Sequence, residues 1–246
     1  MYNLIISLVA ASVAFVVGAQ FGSWTAGIIP ALIALAAAWI VLVRRTSKQL
    51  EGIMGAAGKE FEAGRVESGK RLIESARPLA KWQFLLEEQI DGQLGAVEYM
   101  QRNYKAARPL LEKGGARSWN SQGMLAAMDI RTNNRSKAVK RMLGVKKVGK
   151  KDPIMWGVLA YACVQDGQVD LALESINEAL GGKELAESGP LKAIQGSLQN
   201  GKAKKIKWAK TFGQPWLMYF PEQATAKMMQ GQMYAGNRKT YPMPRR

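Results

Sequence analysis

Cys163 is the sole thiol in a chain of 246 residues, and histidine is absent altogether. Those two facts dispose of much chemistry. No disulfide can close within the chain, no Cys or His cluster can hold a structural metal, and neither a His-based triad nor a two-cysteine redox pair can be assembled. A lone cysteine on an apolar helical face reads as a small core residue, because reactive thiols need an electropositive, partly exposed setting. Glu87, Glu88 and Glu98 read as ordinary helix-surface carboxylates, and the sequence contains no glycine-rich phosphate loop and no recognisable nucleophile motif. The expectation is a protein that is not an enzyme and carries no cofactor or metal.

The chemistry that remains is electrostatic. Lys and Arg number 35 against 19 Asp and Glu, a formal charge of +16. The cations cluster. One group holds Lys137, Lys140, Arg141, Lys146, Lys147, Lys150 and Lys151, a second holds Lys202, Lys204, Lys205, Lys207 and Lys210, and the chain ends in Arg245 and Arg246. Three uses compete: a solvated surface, attraction to anionic lipid headgroups at about 1 kcal/mol per cation, and nucleic-acid binding with Trp208 and Phe212 as stacking platforms. Nucleic acid is disfavoured, because no RNA- or DNA-binding module accompanies the lysines.

What positions this charge begins with its absence. Residues 1–43 contain no Lys, Arg, Asp or Glu. Residues 2–21 (YNLIISLVAASVAFVVGAQF) and 24–43 (WTAGIIPALIALAAAWIVLV) are each about the twenty residues that a bilayer-spanning helix needs. Only Gly22 and Ser23 separate them, which implies an antiparallel hairpin. Trp24 and Trp39 suit opposite membrane interfaces, and Pro30 is tolerable inside a membrane helix. Gly18 and Gly22 offer a small-residue spacing for close helix approach. Arg44, Arg45 and Lys48 follow the second span, so the positive-inside rule places both termini and the large domain in the cytoplasm, with the hairpin in the cytoplasmic (inner) membrane. A cleaved signal peptide ending near Ala19 is the rival, weakened by an uncharged n-region and by the second apolar segment.

The remaining residues contain an internal repeat. Four segments, starting at Gly64, Arg102, Asn133 and Gly167, each place a small residue five positions after the turn residue and a large apolar one four further on. The small residues are Gly69, Ala107, Ala138 and Ala172; the large ones are Ile73, Leu111, Met142 and Ile176. A side chain no larger than a methyl lets a neighbouring helix approach, and the larger residue one turn on fills the adjoining space. Upstream of the last segment stand Trp156, Leu159, Ala160 and Cys163. There the chain resembles the tetratricopeptide repeat family, whose first helix carries Trp, Leu-Gly and Tyr at these spacings and whose second carries Ala-x-x-x-Phe. Cys163 departs from Tyr. Leu94 with Gly95 and Leu125 with Ala126 match the family's helix-crossing point in earlier units. Successive small residues are 38, 31 and 34 positions apart, and only the last interval fits the family's period. A fifth unit is expected, with a first helix near 191–198 and a second near 202–212.

The fold class expected is therefore all-α: a two-helix transmembrane hairpin (1–45), an α-solenoid of helix pairs (46–212), an aromatic capping segment (213–227) and a basic tail (228–246). The resemblance implies a concave groove for a protein partner, hence a scaffold or adaptor, with Gln93, Glu98, Gln122, Asp129 and Gln165 as groove candidates. The competing expectation is a subunit of a larger membrane complex or oligomer, held through the hairpin and through docking of Trp216, Tyr219 and Phe220. Residues 2–43 are the expected contact with the lipid bilayer.

Overall fold

The computed structural model describes residues 2–20, 24–115 and 117–224. The expected hairpin turn and the tail, with the last three residues of the aromatic segment, lie outside the described residues. All regular structure among the described residues is helical. The chain divides into two compact units, Met1–Glu98 and Tyr99–Arg246.

In the first unit, α1 (Tyr2–Gln20) packs along α2 (Trp24–Glu62). Asn3 meets Thr46 near one end and Gly18 meets Gly27 near the other, so the two run antiparallel. Both are long and apolar enough to cross a membrane, and only 11% of α1's apolar window and 6% of α2's is buried. A core helix of a soluble protein would hide most of its apolar face. Here Ile5, Val9, Val13, Ile29, Ile33 and Val41 all point outward.

The hairpin is tightest at two glycines. A Cβ on Gly27 would stand 2.6 Å from the Phe15 carbonyl oxygen, and one on Gly18 would stand 2.9 Å from the Gly27 Cα. The close approach thus pairs Gly18 with Gly27 across the hairpin. Gly52, farther along α2, faces open space. Gly27→Val should cost about 1–3 kcal/mol by overpacking, while Gly52→Ala should gain about 1 kcal/mol of helix propensity. Thermal melts of the full chain in detergent should therefore move in opposite directions; shifts of the same sign would contradict this packing.

α2 does not stop where the apolar run ends. It continues through Arg44, Arg45 and the glycines at 52, 55 and 58 to Glu62, an unbroken 39 residues, or about 58 Å at 1.5 Å per residue. The end of an apolar run is not a helix stop, and the polar residues after Val43 are compatible with helix. The boundary expected between residues 45 and 46 thus falls inside a helix, and 46–212 is divided between the two compact units. Beyond the apolar run, α2 packs on α3 (Val66–Ser75), where Phe61 lies against Gly69 so closely that a Cβ there would sit 2.3 Å from the ring. A 3-10 turn (Arg77–Lys81) leads toward α4 (Leu86–Met100). Arg77 pairs with Asp91 at 2.8 Å, and Lys70 bridges to Glu98 at 2.5 Å.

The second unit comprises α5 (Tyr104–Gly114), α6 (Trp119–Arg131), α7 (Arg135–Val145), α8 (Pro153–Gln165), α9 (Val169–Gly181) and α10 (Gly189–Gln199). Each packs on the next, and α8 also packs on α6 and α10. The turn residues of the repeat share one backbone property. Gly64, Arg102, Asn133 and Gly167 all have left-handed φ, at 76°, 62°, 62° and 81°, and Gly201 has 66°. Such a residue ends a helix by folding the next amide back onto its last turn: Arg65 N–H reaches Glu60 O, Asn134 reaches Asp129, Gln168 reaches Cys163, and Lys202 reaches Ser197. The starts of α8 and α6 are capped by side chains. Asp152 accepts from the Ile154 amide at 2.8 Å with Pro153 in the first turn, and Ser118 accepts from Ser121.

The expected second helix of the fifth unit is broken. Residues 203–205 form a 3-10 turn, Ile206 is extended, and only Trp208–Phe212 is helical, as α11. Closely spaced lysines repel one another along a continuous helix, and the break lets Trp208 turn inward. A short α12 (Gln214–Leu217) and a 3-10 turn (Pro221–Gln223) follow.

Candidate functional site

The first helices α6 and α8 each carry a glycine where another side chain comes in. A Cβ on Gly123 would lie 2.9 Å from the Tyr219 ring, and one on Gly157 would lie 2.4 Å from Phe212. Both rings belong to the chain's own C-terminal segment. That segment is an aromatic block: Trp216 stacks against Trp208, Phe212 and Phe220 with ring centres 5.5, 5.4 and 4.8 Å apart, and Tyr161 of α8 presents its edge to Trp208, Trp216 and Phe220. Trp216 donates its indole N–H to Gln223, whose amide donates in turn to the Tyr161 hydroxyl.

A second set of contacts fastens the same segment to α6. Arg131 donates to the Tyr99 hydroxyl at 2.5 Å, to the Tyr219 carbonyl at 2.7 Å and to Glu222 at 2.8 Å. Its guanidinium lies over the rings of Tyr104, Tyr99 and Phe220 at 5.0, 5.4 and 5.8 Å, each a cation–π contact. Tyr99 donates to the Tyr219 carbonyl, and the Tyr219 hydroxyl donates to Asn120. Burial drives the pKa values of both tyrosine hydroxyls upward, so they remain neutral donors.

Trp216, Tyr219 and Phe220, expected to dock on a neighbour, are buried within the unit instead, at 0%, 2% and 1% exposure. The reason is the room left by Gly123 and Gly157, which no local pattern ties to residues near 212–219. Trp208 and Phe212 are buried in the same block, so neither offers a free face for a nucleobase. The aromatic segment lies against α6 and α8, and α11 packs on α10 as well.

The groove candidates are not a set. Gln93 is exposed, while Gln122 and Asp129 are buried. Asp129 is held by Arg108 of α5 at 2.9 Å and by Arg141 of α7 at 2.7 Å, and Arg141 also reaches Gln122 and Glu112. These polar side chains therefore cross-link α5, α6 and α7. Helical spacing does not reveal which face meets the second helices, so a groove residue and a cross-linking one share the same pattern. Glu98 serves the Lys70 pair. Gln165 gives its carbonyl to Arg135.

The repeat positions are interior. Leu94, Gly95, Ala107, Leu111, Leu125, Ala126, Ala138, Met142, Trp156, Leu159, Ala160, Ala172 and Ile176 are all buried. Cys163 is buried beside them, and burial pushes its thiol up to about 12. At pH 8 the thiolate fraction is then about one in ten thousand. A maleimide should label Cys163 at least a hundredfold more slowly in the native chain than in urea; equal rates would contradict the packing.

The basic positions separate into two kinds. Lys146 pairs with Glu178 at 2.7 Å and Lys151 pairs with Glu184. Lys147, Lys150, Lys202, Lys204, Lys205 and Lys207 are exposed with no carboxylate partner among the described residues. The first unit has nine basic and nine acidic residues, which leaves 26 and 10 for Tyr99–Arg246, so the entire +16 resides in the second. Among the described residues no group of three Cys, Asp or Glu could hold a metal. No family model matches the chain, and no curated protein matches it either.

Proposed function

We propose that the protein is a membrane-anchored helical scaffold whose tetratricopeptide-like second unit holds an acidic protein partner at the cytoplasmic face of the inner membrane. The observation that carries this reading is the pairing, on one chain, of a hairpin whose apolar side chains face outward with a unit bearing all of the +16 charge. Arg44, Arg45 and Lys48 at the end of the apolar run support the cytoplasmic orientation. Confinement to the membrane would raise the effective concentration of whatever assembles there.

The aromatic block bears on how the partner is held. A peptide entering over Gly123 and Gly157 would have to expel Tyr219 and Phe212, so engagement through the unpaired lysines is the simpler route. From Ser188 to Pro221 there is no acidic residue, and Lys202, Lys204, Lys205 and Lys207 stand within it. An acidic partner or an anionic leaflet would complement that stretch, and steering by such a field weakens with salt. Photo-crosslinking in native membranes from position 204 should yield a discrete adduct that is lost when K202E/K205E/K207E are added to the same chain. Release of the intact protein by alkaline carbonate, or an unchanged adduct in that variant, would refute the proposal.

A further inference from the structure

Beside the inner end of the hairpin lies a cavity of about 200 Å³ lined by Asn3, Leu42, Arg45, Thr46, Gln49 and Trp82. Its polar groups are unusual for their position. Asn3 is 1% exposed, donates its amide to the Thr46 hydroxyl at 3.3 Å, and leaves its Oδ1 without a donor among the described residues. Thr46 spends its own proton on the Leu42 carbonyl at 3.0 Å. A buried acceptor with no partner carries a desolvation penalty, which a ligand bearing a donor would remove. Arg45 on the same wall is exposed, with no carboxylate or hydrogen bond among the described residues. Trp82, held edge-on by Tyr2 with ring centres 5.3 Å apart, supplies an aromatic wall.

We infer that this cavity binds the headgroup of a phospholipid in which the phosphate is flanked by a hydrogen-bond donor, either a primary ammonium or a hydroxyl. The inference rests on the membrane reading above. Arg45 stands two residues beyond Val43, where the charge-free run ends, and so at the depth of the lipid phosphates just outside the hydrocarbon. Its guanidinium offers the phosphate paired N–H groups, and the Asn3 Oδ1 accepts from the flanking ammonium or hydroxyl. Trp82 would favour an ammonium further. Leu42 continues the wall toward the apolar zone, as a molecule with acyl chains requires. A choline headgroup, with no N–H or O–H, leaves Asn3 unsatisfied.

Native mass spectrometry of the detergent-solubilised full chain tests this with phosphatidylethanolamine, phosphatidylglycerol and phosphatidylcholine of matched acyl chains. The wild type should retain the first two at least fivefold over the third. Arg45→Gln, at an exposed and unpaired position, should lower that retention at least fivefold, and Asn3→Leu should abolish the preference over phosphatidylcholine. Equal retention of the three lipids by the wild type, or unchanged retention in Arg45→Gln, would overturn the site. Glycerophosphoethanolamine at matched concentration should not displace the lipid; if it does, the source is a soluble phosphate ester and not the bilayer. Carbonate washing of wild-type membranes separates the two ideas, because a chain that stays in the membrane yet ignores the headgroup defeats this site alone.

Discussion

Arg108→Leu combined with Arg141→Leu is expected to destabilise the chain by about 3–5 kcal/mol, the usual cost of leaving a buried charge without its partners. The Asp129 side chain is 1% exposed; its Oδ2 accepts a hydrogen bond from Arg141 at 2.7 Å, and its Oδ1 is ion-paired with Arg108 at 2.9 Å but accepts no hydrogen bond among the described residues. Neither arginine is fully buried, at 29% and 16%, so each tolerates solvent if Asp129 is lost. Asp129 has no such outlet. The double variant should therefore be less stable than Asp129→Asn, in which the charge itself disappears. Replacing all three by leucine should recover much of the loss, because exchanging a whole buried ionic group for apolar side chains is often neutral. Urea unfolding followed by tryptophan fluorescence reads all three. A double variant within 1 kcal/mol of the wild type would mean that water reaches Asp129.

Trp216→Ala should cost a similar amount, about 3–5 kcal/mol for truncating a buried aromatic, and it should do more. Trp216 is fully buried and contacts Trp208, Phe212 and Phe220 at once, so its loss removes the shared centre of the block. Tyr219 would then be held over α6 chiefly by Arg131, Tyr99 and Asn120. Trypsin should cut the variant at Lys202, Lys204, Lys205, Lys207 or Lys210 well before it cuts the wild type. Trp216→Phe, which keeps a ring to stack, should lie closer to the wild type. If Trp216→Ala proves as resistant as the parent, the segment is held by the Arg131 contacts and the stack is incidental. The variant also bears on partner binding: uncovering Gly123 and Gly157 should strengthen capture of a partner only if that face is where the partner sits.

Much of the architecture was legible in the residues. Forty-three positions without Lys, Arg, Asp or Glu form two helices long and apolar enough to cross a membrane, and those helices do turn apolar side chains outward. The repeat's turn residues were visible because left-handed φ is cheap for Gly and tolerable for Asn; Arg102 adopts it too, which the residue type alone would not suggest. The small residues Ala107, Ala138 and Ala172 were legible because close helix packing selects against bulk. These signals are local, each set by a few neighbouring residues and by the contrast between apolar side chains and water.

Contacts between distant parts of the chain were not legible. Nothing near Gly157 announces Phe212, and nothing near Arg131 announces Tyr99 and Tyr219, because each pairing depends on how several helices stack before the last segment arrives. The same holds for Asp129, an ordinary helical acid by spacing and a buried cross-link by position. Composition and periodicity determined that this chain is helical, cationic and apolar at its start, since those properties are sums over neighbouring residues. Which aromatic fills which glycine notch, and which lysines keep a free charge, were decided only by the tertiary structure, because side chains far apart in sequence compete for the same space and the same counter-charges once the helices are packed.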